Sequence, residues 1–246
     1  MTIAVGIPGW VAAYCDQQQD EHSVREFVIH HTSPVDQSMA SPPMQYSEED
    51  IEQALHKHQQ LRMEQGIVKA DTMLIKRYIA KWLDCLEHGI TAPQYETWKH
   101  TCVAMHVHRP ARDACILSVL DETLDIADME LLSIGVPRTP CARKTAEIIE
   151  RAYKDKSLRP NLVRCQHGID YLVEVVRCVP YEYSEQAFAA LTYILWFVGQ
   201  QTQSYACAQQ TLAINATNTL AKIIEQAIIR GLFPRWVGQT QQLCRL

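Results

Sequence analysis

From Asp71 to Gly89, Leu74, Tyr78, Ile79, Trp82, Leu83 and Leu86 recur three or four residues apart, while Lys76, Arg77, Lys81 and Asp84 take the other side. That spacing lays an apolar stripe along one face of an α-helix, and such a stripe has to be buried against other elements. The texture extends in both directions. Ser47 with Asp50 three residues later has the form of an N-terminal cap, and Ile51, Leu55 and His58 or Leu61 follow at helical spacing as far as Gly66. Thr91, Pro93 and Gln94 have the form of a cap, a first-turn proline and a capping-box partner for a third helix carrying Tyr95, Trp98, Cys102 and Met105.

A fourth segment opens at Pro110 and runs past a break or bend near Asp121 to Gly135. Thr139-Pro140 launches a helix with Ala142, Ala146, Ile149 and Ala152 inward, and Pro160 starts another that ends before Pro180. Three more follow, from Ser184 to Val198, from Thr202 to about Ala213 and from Thr217 or Asn218 to Arg230, with Gly199 and Gly231 where C-terminal caps belong. The expectation is an all-α fold, an irregular multi-helix domain of about nine helices over residues 46–246. A poorly structured N-terminal arm over residues 1–45 precedes it, in which Phe27-Val28-Ile29 is a short strand-like run before a tract rich in Pro and Ser. After residue 45 no segment alternates with period two, and no period of roughly 20 to 50 residues repeats, which argues against a sheet and a regular solenoid.

The chain of 246 residues is 47% hydrophobic and 21% charged, with only 9 Gly and 11 Pro, a balance that points to a globular protein long enough to bury a core. A net charge of -5 offers no general excess of cations for a phosphate backbone, so nucleic acid is not the expected partner. The nine cysteines are odd in number and irregular in spacing, which favours free thiols over a disulfide framework. The apolar start, Ile3 to Tyr14, lacks a basic lead and is broken by Gly6, Pro8 and Gly9, and the longest apolar run elsewhere, Phe188 to Gly199, is shorter than the roughly 20 residues that span a bilayer. These features lead us to expect a soluble cytoplasmic chain with no membrane partner.

Signatures of common enzymes are missing: there is no Gly-x-Ser-x-Gly, phosphate-binding Gly-rich loop, His-Glu-x-x-His or Cys-x-x-Cys. His100, His106 and His108, with Cys102 nearby, are weak candidates for metal ligands, because residues 106 and 108 of one helix point about 200° apart. Cys165 and His167 fall on different faces of a helix, against a thiol paired with a base. The acids Asp121, Glu122, Asp125, Asp128 and Glu130, and the cations Arg143, Lys144, Arg151, Lys154, Lys156 and Arg159, are best read as solvated faces. Arg112-Asp113 has the form of a first-turn acid with an ion pair to a neighbouring helix. The aromatics Tyr181, Tyr183, Tyr193, Trp196 and Phe197 suit a core better than a binding groove. Leu232-Phe233-Pro234-Arg235-Trp236, just past the last helix, either packs back or presents an apolar surface to a partner.

Two stretches resemble the helical C-terminal part of the actinobacterial DUF4192 family. One is Tyr95 to Leu120, with Arg112-Asp113 opening its second helix. The other is the apolar helix Ala187 to Gly199 that closes in Trp196-x-x-Gly199, followed by Ala206, Ala208, Leu220-Ala221 and Gly231-Leu232-Phe233-Pro234. The resemblance covers about residues 79–236, implies a helical fold and carries no activity or cofactor. Together these readings make Arg112, Asp113, Trp196, Gly199, Leu232, Phe233 and Trp236 the candidate binding residues. The expected function is a protein interaction or self-association domain without a cofactor; a metal- or thiol-dependent enzyme or sensor using the His100, Cys102, His106 and His108 group is the alternative, and a nucleic-acid-associated helical protein using the basic run from Arg143 to Arg159 is a further one.

Overall fold

In a computed structural model the described residues, 46–134, 139–154, 160–234, 236 and 237, form ten α-helices and one short 3-10 turn, and no strand occurs among them. The expected N-terminal arm, with Phe27 to Ile29, lies outside the described residues. The helices are α1 (Glu48–Gln65), α2 (Ile67–His88), α3 (Tyr95–Val107), α4 (Arg109–Leu120), α5 (Ile126–Ile134), α6 (Thr139–Lys154), α7 (Leu162–Cys178), α8 (Glu185–Phe197), α9 (Gln201–Ile214) and α10 (Thr219–Ile229). Among them none is long and apolar enough to cross a membrane.

The Ser47 cap forms as a reciprocal box, with the Asp50 amide donating to Ser47 Oγ at 3.2 Å and the Ser47 amide donating to the Asp50 carboxylate at 2.8 Å. Gly66, at φ +85°, ends α1 and is at once the residue before α2. Because no loop intervenes, α2 begins at Ile67 rather than near Asp71, and Asp71 becomes a buried residue of its second turn. The count rises from nine to ten because the chain extends at Asp121 (φ -130°, ψ 107°) and separates α4 from α5. Two local expectations need correcting. Thr91 and Pro93 lie outside any helix, since α3 starts only at Tyr95 after a Gln94 whose side chain caps nothing. In α6, among the described side chains, Ile148 is buried whereas Ala146 and Ile149 are exposed, because the helix leans on α4 along a narrow strip; the side chains of Ala142 and Ala152 lie outside the described residues.

α2, α7 and α8 carry the core. α8 is buried almost all round, from Gln186 to Thr192 and from Ile194 to Phe197, as a helix packed by α3, α4, α7, α9 and α10 must be. Trp82 of α2 stands edge-on to Tyr171 of α7 at 4.9 Å, its indole N–H donates to Ser118 Oγ of α4 at 2.8 Å, and Tyr171 shares a 2.7 Å hydrogen bond with Thr101 of α3. Gly168 lets α7 come close at this point, since a Cβ there would lie 3.0 Å from Val119 Cγ2 and 3.2 Å from Leu86 Cδ2. The buried Arg164 donates to the Ser118 carbonyl at 2.9 Å and pairs with Glu87, which supplies the polar partners that a guanidinium needs in such a place.

Candidate functional site

Among the described residues, a group of ionisable side chains, mostly buried, joins α1, α2 and the α3–α4 junction. His58 lies two turns after the fully buried Ile51 on the inner face of α1 and is 5% exposed. Asp71 precedes the buried Leu74 and Ile75 by three and four residues, which puts it on the inner face of α2 at 2% exposure. His108 stands in extended backbone between α3 and α4, anchored by its amide to the Ala104 carbonyl at 2.8 Å.

One carboxylate gathers the others. Asp71 Oδ1 lies 3.0 Å from His58 Nε2 and accepts from Arg62 Nε at 2.7 Å, and Oδ2 accepts from Arg62 Nη2 at 3.0 Å and lies 2.8 Å from His108 Nε2. Arg62 Nη2 is also 2.8 Å from the same His108 nitrogen. That nitrogen therefore has two incompatible suitors: carrying a proton it donates to Asp71, and without one it accepts from Arg62. Burial pushes the Asp71 carboxyl up, but hydrogen bonds from Arg62 and His108, and their charges, outweigh it and leave the group below the usual carboxylate range. Burial lowers His58, and Arg62 and His108 add to that against the upward pull of Asp71, which leaves the imidazole below the usual histidine range.

His58 also lines a half-open groove of about 580 Å³ between α1, α2 and α3. Its lining mixes apolar residues, Ala54, Leu61, Met73, Leu74 and Val103, with the polar Asp50, Lys57, Arg77, Glu96, Lys99 and His100. Most of the charges have partners at the rim: Lys99 donates to Glu96 at 2.9 Å and covers the Tyr46 ring at 4.4 Å, and Arg77 sits 3.0 Å from His100.

The structure disperses the histidine and cysteine group of residues 100–108. His100 meets Arg77, the Cys102 thiol donates to the Tyr183 carbonyl, His106 lies 5.5 Å from the Tyr183 ring, and only His108 enters the buried cluster. His167 Nδ1 lies 3.0 Å from the Leu86 carbonyl near the end of α2, well apart in role from the buried Cys165, whose thiol is pushed up to about 12 by burial. The expected first-turn acid and interhelical ion pair need correcting: Asp113 is the fifth residue of α4 and pairs with the adjacent Arg112 at 2.9 and 2.6 Å, because the buried Arg112 instead reaches α8 through the neutral Gln186 Oε1 at 2.9 Å. Neither Asp113 nor Trp196 lines the groove.

The C-terminal segment folds back in part. Trp236 is 7% exposed and faces Phe197 at 6.2 Å, Phe233 is half-buried, and Leu232 remains 49% exposed while its carbonyl accepts from Trp196 Nε1 at 2.9 Å. Gly199, at φ +83°, has Val237 against the place a Cβ would take, at 3.2 Å. The solvated-face reading fails at Asp121, which is buried because Arg151 of α6 pairs with it; Lys144 likewise reaches Asp128, whereas Arg143 pairs with Glu147 within α6. Lys156 and Arg159, and the side chain of Lys154, lie outside the described residues.

Sequence reading did not single out His58, Arg62 and Asp71. The available signal was a histidine on the apolar stripe of α1 with a cation one turn on, and it carries no spacing to Asp71 or His108, which arrive from other helices. Comparison with protein-family models, curated proteins and solved structures returns no match.

Proposed function

We propose that this chain is a protein-interaction domain that associates with a second copy of itself through the tip of the α1–α2 hairpin. The observation that carries the proposal is the exposure of Met63 at 74%, Ile67 at 64% and Val68 at 62%, three large apolar side chains within six residues of a single tight turn. Single exposed apolar residues are ordinary on protein surfaces, but a cluster with a polar rim marks a contact surface. Glu64 and Lys69 supply that rim, both exposed and of opposite charge. A two-fold contact places the same patch on both sides, so a rim holding one charge of each sign is complementary to itself. The buried cluster lies directly beneath, with Arg62 next to Met63 and Asp71 one turn beyond Ile67, and it stiffens the hairpin that presents the tip. Leu232, with Ile229, is a secondary apolar exposure at the C-terminal end. A relation to the helical part of the DUF4192 family belongs to the same proposal and adds no activity to it.

Sedimentation velocity over a range of concentrations tests the reading. The wild-type chain is expected to shift from monomer to dimer as concentration rises, and the Ile67→Glu, Val68→Glu double variant to stay monomeric with an unchanged circular dichroism spectrum. A wild-type monomer at every concentration, or a dimer that the double variant leaves intact, refutes it.

A further inference from the structure

We infer that His58, Asp71 and His108 form a binding site for a divalent first-row transition-metal ion, with Arg62 standing in for the charge of the ion until it binds. Imidazole nitrogen and carboxylate oxygen are the donors such ions take, and two imidazoles with one carboxylate suit zinc, cobalt, nickel or ferrous iron and leave positions open to water. Here the three donor atoms lie within 4.8 Å of one another and come from α1, α2 and the α3–α4 junction, so the core of the domain holds them together. Ligands bound at about 2.0 to 2.2 Å around a tetrahedral ion sit roughly 3.3 to 3.6 Å apart. His58 Nε2 lies 3.0 Å from Asp71 Oδ1 and His108 Nε2 lies 2.8 Å from Asp71 Oδ2, somewhat closer than bound ligands stand, so an ion entering between them spreads the three side chains apart.

The competing explanation is a buried ion pair with no ligand. Arg62 neutralises Asp71 through two contacts and imidazole N–H groups can fill its remaining acceptor sites, but the ion pair does not resolve His108 Nε2, which faces a donor in Arg62 and an acceptor in Asp71 at once. The conflict at His108 Nε2, claimed by both Arg62 and Asp71, disappears when that nitrogen gives its lone pair to a metal and Arg62 swings away. Arg62 has a route out, because its side chain is 29% exposed while that of Asp71 is 3% exposed. A divalent ion beside a single carboxylate leaves one net positive charge, which a hydroxide or other anion at the open coordination position would offset.

The test uses the full chain without an affinity tag, titrated with Co²⁺ and followed by visible absorption, then with Zn²⁺ in competition. We expect one Co²⁺ per chain with the strong absorption of four- or five-coordinate cobalt, displaced by Zn²⁺. His108→Ala should weaken binding at least tenfold with the helical signal retained, and His106→Ala, outside the cluster, should leave it unchanged. Arg62→Gln should bind at least tenfold more tightly, a result that neither surface histidines nor a purely structural ion pair produces. The site is refuted if wild type and Arg62→Gln both fail to saturate, or if His108→Ala binds as wild type does. Unchanged or weaker binding in Arg62→Gln overturns the stand-in role. These readouts are taken at a concentration where sedimentation shows a single species, which keeps them separate from self-association.

Discussion

Replacing Asp170 with asparagine should stabilise the folded chain at neutral and alkaline pH and do little at acid pH. Asp170 lies on α7, where burial pushes its carboxyl up to about 6, a hydrogen bond from Gln166 and the His167 side chain pull it back, and Glu174 pushes it further up. An unfolded aspartate titrates near 3.9, so the difference is about two pH units, or roughly 3 kcal/mol at 1.36 kcal/mol per unit. Asp170 keeps part of its surface in water, which screens the penalty and brings the expected effect to about 1 to 2 kcal/mol. The sign follows from linkage. The folded state holds the proton more tightly, so the contribution of Asp170 to stability is fully present below about pH 4 and is lost as pH rises through about 6. Asparagine is neutral throughout and its carbonyl can accept the Gln166 hydrogen bond, which is 2.8 Å long in the native chain. Urea denaturation of both proteins at pH 8 and pH 4 reads the effect as a higher midpoint for the variant at pH 8 with an unchanged slope. Equal midpoints at pH 8, or the same gain at both pH values, would show that the burial of this carboxylate is not what sets its contribution.

Two further outcomes follow from packing. Gly168→Ala gains about 1 kcal/mol of helix propensity but drives a methyl group to 3.0 Å from Val119 and 3.2 Å from Leu86, both buried, where overpacking costs about 1 to 3 kcal/mol. Thermal unfolding should therefore show a net loss of roughly 1 kcal/mol, and a more stable variant would mean that α2 and α4 yield easily at this crossing. Burial raises the thiols of Cys85, Cys102 and Cys207 to about 12 and lifts those of Cys115 and Cys178 further. Because the thiolate is the reactive form, iodoacetamide at pH 8 should leave these five unmodified in the folded chain, and peptide mapping would detect rapid labelling of any of them.

Local chemistry decided what could be read in advance. The Ser47–Asp50 box, the left-handed glycines 66, 89, 199 and 231 and the break at Asp121 depend on residues a few positions apart, and each stands where the sequence pattern puts it or near to it. Boundaries slipped where two local signals competed, as at Thr91, whose cap-like form lost to an extended stretch before Tyr95, and in α6, where several small and apolar residues offered more than one inward stripe and contact with α4 selected Ile148.

Taken alone, the sequence determined the helical class, the punctuation between helices and the buried stripe of α2, because backbone hydrogen bonding and the 3.6-residue period are properties of neighbouring residues. Tertiary structure alone decided that Trp236 turns inward while Met63, Ile67 and Val68 stay out, and that His58, Arg62, Asp71 and His108 meet. Those four residues lie up to 50 positions apart and come together only through the crossing of α1, α2 and α3, a geometry set by packing that leaves no periodic trace in the chain.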